Sequence, residues 1–324
     1  MGYVLKPDEK EAIIHYVGLF GFISRYSSLA NLFSGLSPEE AKARGMEPAY
    51  LMRWGWKHYN ADIVHYDGIM KLNSLYEKLV SAAMKTNQNQ AYSTVRLCSR
   101  KQIVLGKSVN HSFLSTSEER VENLVSLGYG NCPELAIIHF DISEEAIVLR
   151  MNIFDEVYPK PKEGEVLILP GMVMDASIDS NNSYDIHGLD GKKVQCYKAK
   201  VYGPDFSEVA DLSNEDVSRL WDIALDTEML KEIQIFVEKL NKSDVLPTPP
   251  SCYDEWVSAY KKMVMHSVYR KWKEYSWFII LLDDEAKTSR SFFFVCRFLN
   301  CKFYDEQFFY QNSHILVRII RTIQ

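Results

Sequence analysis

The sequence predicts an α+β fold in which helices come first, a β-rich core follows, and helices return. Three observations predict it. Residues 8–35 and 68–85 place apolar side chains at three- and four-residue spacings, as helices do. From about residue 92 the chain breaks into short β-branched or apolar runs separated by polar turns. Helical spacing then resumes after about Pro204. Strands grouped after helices, rather than alternating with them, argue against a sheet of βαβ units.

Taken in order, "DEKEAIIHYVGLFGFISRYSSLANLFSG" (8–35) is interrupted at Gly18 and Gly21, which predicts a helix, a break and a second helix. "GIMKLNSLYEKLVSAAMK" (68–85) aligns Ile69, Leu72, Leu75, Leu79 and Ala82 along one stripe. The runs "STVRLCS", "SFLSTS", "ELAIIHFDI", "AIVLRMNI", "EVLILPG" and "KVQCYKAKV" read as strands, with "EERVENLVSLG" (118–128) as a helix inserted among them. A further helix is predicted over 213–241, opened by a Ser or Asn cap with acids in its first turn. "SDVLPTPPS" (243–251) holds three prolines, which forbid a regular helix and mark a linker.

The last 73 residues hold 17 of the chain's 41 aromatics and sum to +3, whereas the rest sums to −9. This tail is therefore compositionally separate. It reads as a helical accessory layer on the main domain, the other reading being a surface that docks a partner or a membrane. No internal repeat of 20–50 residues is present.

Bulk properties exclude several classes. A net charge of −6 and a pI near 5.8 supply no general attraction to phosphate backbones, so nucleic acid would need a local basic patch. Cys98, Cys132, Cys196, Cys252, Cys296 and Cys301 contain no C-x-x-C pair and read as reduced, mostly buried thiols. The start "MGYVLKPDEK" has no apolar signal region, and the run near "WFIILL" is far short of the ~18 residues that span a bilayer. Cytoplasmic synthesis is expected, and Lys6 stands where a myristoylation motif wants Ser or Thr.

Among chemical motifs, "LGKSVN" (105–110) would need glycine at 101 to be a phosphate loop and has Lys101. The eight histidines show no paired metal-ligand spacing, so no metal is expected, and no G-x-S-x-G elbow is present. What remains is an ordered set: Arg96 in "TVRLC", the triplet Ser115, Thr116 and Ser117, and the pair Glu163 and Glu165 in "EGEVLILPG". In extended strands Ser115 and Ser117 face together, as Glu163 and Glu165 can, so a hydroxyl can pin a carboxylate. Two close carboxylates divide acid, base and charge-stabilising roles between them. Taken singly, "KEGE" is a polar turn and "STSEE" a helix cap with its acid.

In that order and spacing, the three elements resemble the Arg, Ser-x-Ser, Glu-x-Glu signature of the arginine-type mono-ADP-ribosyltransferases, a family of bacterial toxins and vertebrate ecto-enzymes. The resemblance covers roughly 10–205 and includes "AIIHYVG", "YSSLANLFSG", "VRLCSRKQIVLGKSVNHSFLSTS", "AIIHFDI" and "EGEVLILPG". It departs at Val95 and Leu97, where the family has an aromatic and a glycine around its arginine, so Arg100 stays a second claimant for that role.

The resemblance implies a split mixed or antiparallel β-sandwich core. A catalytic domain would span 1–205 (1–90 helical, 91–205 β-rich), with an accessory region over 206–324. It implies NAD as substrate, with the nicotinamide–ribose bond broken. Glu165 would stabilise the developing ribose cation, Arg96 would bind the phosphate side, and Ser115 would orient Glu165. Thr116 and Ser117 would support the strand and the nicotinamide pocket, and Glu163 would take a proton from an arginine acceptor. Tyr158 resembles an acceptor-recognition aromatic.

Arginine of a target protein is the leading acceptor. Nucleic-acid guanine is the alternative, with a foothold in the basic runs Arg96–Lys107 and Lys192–Lys200. NAD glycohydrolysis and a degenerate, non-enzymatic NAD-fold module are the others. Toxin or effector status, delivery by a signal-independent route, and an antitoxin, chaperone or target on the C-terminal region are what the family type suggests.

Overall fold

The computed structural model describes residues 5–18, 64–86, 90–100, 103–130, 134–151, 164–185, 193–242 and 247–285. Within them the chain combines helices with one sheet. Helices α1 (Pro7–Gly18) and α2 (Tyr66–Thr86) come first. Strands β1 (Tyr92–Ser99), β2 (Gly106–Val109) and β3 (Leu114–Ser117) follow. A single helical turn, α3 (Val121–Leu124), precedes β4 (Leu135–Ile142), β5 (Val148–Arg150), β6 (Glu165–Ile168), β7 (Met172–Asp185) and β8 (Lys193–Pro204). Helices α4 (Asn214–Ala224), α5 (Thr227–Lys242) and α6 (Tyr253–Glu285) complete the described chain.

The eight strands lie in the order β2-β7-β8-β4-β1-β3-β6-β5. Every neighbouring pair is antiparallel except β4 with β8. The joins differ greatly in extent. β1 pairs with β4 along its whole length, from Tyr92 opposite Ile142 to Ser99 opposite Leu135, but with β3 only where Val95 faces Ser117. A five-stranded part and a three-stranded part, β3-β6-β5, thus meet at a one-pair seam.

The main core is contiguous from Leu5 to Val268 and joins one face of the sheet to α1, α2 and α6. The stripe on α2 faces it, with Ile69, Leu75, Leu79 and Ala82 buried. Each of the isoleucine and leucine side chains contributes roughly 1.5–3 kcal/mol when removed from water. On α6, Trp256, Tyr260, Met263, Val264 and Val268 enter the same core, and the Trp256 indole N–H donates to the Ala224 carbonyl at 3.2 Å. Phe206 packs on Tyr269 and Trp272, at 5.5 and 5.4 Å between ring centres. Gly171 (φ 93°) lets that ring approach, since a Cβ there would lie 2.4 Å from it. A smaller core of Val95, Ile137, Val194 and Cys196 on the opposite face is covered by Val121 and Leu124.

Several elements differ from the sequence expectation. The helix expected over 118–128 is one turn that widens into a π-type turn at Val125–Tyr129, where Gly128 (φ 94°) breaks helical geometry. The helix expected over 213–241 is two, because Asp226 accepts the Met229 N–H at 2.8 Å and starts a new helix. Strands β2 and β7 were not expected. β7 presents exposed Asp175 and Ser177 to solvent and shifts register between Ile178 and Ser183, so its alternation is masked by polar residues. The second N-terminal helix, expected between Gly21 and residue 35, falls outside the described residues. Among the described residues no helix is long and apolar enough to cross a membrane.

Candidate active site

Strands β3 and β6 build the site. Their antiparallel register sets Ser117 opposite Glu165, Thr116 opposite Val166 and Ser115 opposite Leu167. Ser115 is therefore diagonal to Glu165 on the same face, within reach of a long side chain. Its hydroxyl donates to Glu165 Oε1 at 2.6 Å, and this contact is part-buried. A second hydroxyl reaches the same oxygen from another element: Tyr16 on α1 donates to Glu165 Oε1 at 3.0 Å.

Arg96 stands beside the seam on β1 and donates from a guanidinium nitrogen to the Ser115 backbone carbonyl at 2.6 Å. Charge-assisted bonds of this kind hold an arginine in a fixed direction. Arg100 is exposed just past the end of β1, where its backbone N–H bonds the Glu134 carbonyl at 2.9 Å. The structure thus brings Arg96, Ser115 and Glu165 together.

The three hydroxyls of the triplet do three different things. Thr116 Oγ1 donates to the Val166 carbonyl at 2.9 Å and pins β3 to β6 from inside the core. Ser117 Oγ accepts the Glu119 N–H at 2.9 Å, which turns the chain out of β3. It does not cap the following helix, whose N-cap is Arg120 with no side-chain hydrogen bond.

Gly164 shapes the backbone just before Glu165. It adopts φ 52°, a left-handed conformation natural to glycine. The Gly164 carbonyl accepts the Glu118 N–H at 2.9 Å, which carries the β3–β6 ladder one step further. Glu163 and Tyr158 themselves lie outside the described residues.

At the edge of this sheet Arg150 bonds Glu118 at 2.9 Å and lies over the Tyr92 ring, 5.2 Å from its centre. Burial opposes the Arg150 charge, but the Glu118 carboxylate outweighs it and holds the guanidinium above its ordinary pKa. This pair ties the start of β1 to the chain just past Ser117 and so braces the seam. Among the described residues no group of three His, Cys, Asp or Glu is placed to hold a metal ion.

Sequence reasoning missed Tyr16. The available signal was its place in "AIIHYVG", on the stripe with Ala12 and Ile13, where a tyrosine buries its ring and needs a partner for its tip.

No family model matches the sequence, and no curated protein gives a significant match. Solved structures similar to this chain are bacterial ADP-ribosyltransferase toxins. Plx2a from Paenibacillus larvae is 14% identical with a TM-score of 0.33, over 61% of this chain and 88% of that one. The Vis toxin of Vibrio splendidus, solved with agmatine, is 15% identical with a TM-score of 0.33, over 65% and 80%. BECa of a binary enterotoxin of C. perfringens, solved with NADH, is 13% identical with a TM-score of 0.41, over 79% and 59%.

Proposed function

We propose that this chain is a mono-ADP-ribosyltransferase that cleaves the nicotinamide–ribose bond of NAD and transfers ADP-ribose to arginine of a target protein. The observation that carries the reading is the Ser115 hydroxyl on Glu165 Oε1, with Arg96 bound to the carbonyl of the same serine. A carboxylate, an orienting hydroxyl and a forked cation from three strands converge where the sheet is narrowly joined.

Each residue has a role the chemistry requires. Glu165 places negative charge where the ribose becomes cationic as neutral nicotinamide departs with the bonding electron pair. Ser115 holds that carboxylate in one orientation. Arg96 supplies positive charge for the pyrophosphate side of NAD, its guanidinium being directed by Ser115. Thr116 keeps β3 in register with β6, which sets the distance between Ser115 and Glu165, and Thr116 and Ser117 together support the strand and the nicotinamide pocket. Glu163, two residues before Glu165, takes the proton that a guanidinium acceptor releases as its nitrogen bonds the ribose carbon. Tyr158 contributes to acceptor recognition.

Catalysis in this reading belongs to residues 1–205. The accessory region, residues 206–324, offers the surface for an antitoxin, chaperone or target, and the setting is that of a toxin or effector.

The test is incubation with labelled NAD and lysate protein. Label transfer by the parent and its loss in Glu165→Gln, with the fold retained, supports the proposal. Full transfer by Glu165→Gln overturns it. Label in RNA rather than protein would move the acceptor to a nucleic-acid base, and product without any acceptor would make the protein a glycohydrolase.

A further inference from the structure

We infer that Tyr16 is a positioning residue for Glu165 and that helix α1 is thereby part of the site; this rests on the role given to Glu165 above. Two hydroxyls from distant parts of the chain meet one carboxylate oxygen. Ser115 approaches Glu165 Oε1 from β3 and Tyr16 from α1, 149 residues away in sequence. The final torsion of a glutamate is broad and two-fold, so a single donor leaves the carboxylate plane free to turn. A second donor from another direction removes that freedom.

The tyrosine is built to act as a fixed donor. Its ring is 7% exposed and lies in the main core, on the same buried stripe of α1 as Ala12 and Ile13. Packing therefore fixes the ring, and only the hydroxyl tip reaches the site. Helix α1 is itself anchored seven residues earlier, two turns back on the same face. There Glu9, 2% exposed, accepts from Lys85 Nζ at 2.7 and 2.9 Å, from Ser81 Oγ at 2.7 Å and from the Lys6 N–H at 2.9 Å. One end of α1 is thus locked to α2, and the other presents a phenol to Glu165. This arrangement makes α1 a lever arm for the carboxylate rather than a passive cover.

Tyr16→Phe in the full chain keeps the ring and removes only the donor. It is expected to lower kcat for NAD cleavage about tenfold, as for a lost hydrogen bond to a charged group, with KM for NAD within about twofold. Its melting temperature should match the parent. A structural role would instead move the melting temperature and leave kcat of the folded fraction alone. Combined with Ser115→Ala, the loss should exceed the product of the single losses, because each donor partly holds the carboxylate when the other is gone.

An unchanged kcat in Tyr16→Phe, a loss appearing only in KM, or strictly multiplicative losses would each overturn the inference. Glu165→Gln in the same assay separates the two readings. If it is inactive while Tyr16→Phe is fully active, the inference alone fails; if it is fully active, the proposed function fails and takes the inference with it.

Discussion

Two serine–carboxylate hydrogen bonds of equal length occupy two regions of this molecule, one at the sheet seam and one at the start of α4. Ser115 donates to Glu165 at 2.6 Å, and Ser213 donates to Asp216 at 2.6 Å. The second is exposed and spans three residues. Ser213 also accepts the Asp216 N–H at 3.1 Å, and Asp216 accepts the Ser213 N–H at 3.0 Å, so the pair closes a capping box. Those bonds hold the Asp216 carboxyl below the usual range. The first is part-buried and spans fifty residues, so it exists only once β3 and β6 are in register. Equal bonds therefore differ in what assembles them: local chain geometry makes the cap, and the whole sheet makes the seam contact. A bond that needs the fold can hold a group for chemistry, whereas a bond that needs only its neighbours serves the helix that contains it.

The largest test of this contrast is Glu165→Gln. The amide keeps the side chain's size and an oxygen for Ser115 and Tyr16, but it removes the negative charge. NAD cleavage should fall about a thousandfold or more in kcat, with the melting temperature close to that of the parent. Single-turnover cleavage of labelled NAD, measured beside thermal unfolding, gives both numbers.

Glu9→Gln should act first on stability, because this glutamate neutralises Lys85 inside the protein. Lys85 is 11% exposed in that pair. Losing its carboxylate would leave a cation largely buried without its counter-charge, which costs about 3–5 kcal/mol. Denaturant unfolding should register that loss. A much smaller loss on exchanging both residues for apolar ones of similar size would show that the uncompensated charge is the source, and an equal loss would show that it is not.

How much of this was legible in the sequence follows the same division between local and distant contacts. The stripe on α2 was readable because residues three and four apart must share a face, and Ile69, Leu75, Leu79 and Ala82 are buried as that rule requires. Ser213 was readable as a cap because its acid lies three residues on. The triplet and the Glu-Gly-Glu pair were readable only as an ordered set, since nothing local links residues 115 and 165. Tyr16 was not readable as a site residue, because its partner lies 149 residues away and its surroundings look like ordinary core. Strand β7 was missed because its exposed side is polar, and the left-handed Gly164 could not be told from a strand residue until its backbone was seen.

The two smallest predictions compare the serines directly. Ser115→Ala removes the strand-borne donor to Glu165, so kcat should fall about tenfold while stability changes little. Ser213→Ala removes the capping hydroxyl of α4, which should lower the melting temperature by about 2 °C and leave kcat unchanged. Assaying both variants for NAD cleavage and thermal unfolding sets chemistry against stability for the same deleted atom. If Ser213→Ala lost activity as Ser115→Ala does, the C-terminal helices would bear on the site as closely as the seam does. That would be a consequence of the shared core, in which Trp256 on α6 bonds the last residue of α4 and which also contains Val166, Leu167 and Ile168 of the strand that carries Glu165.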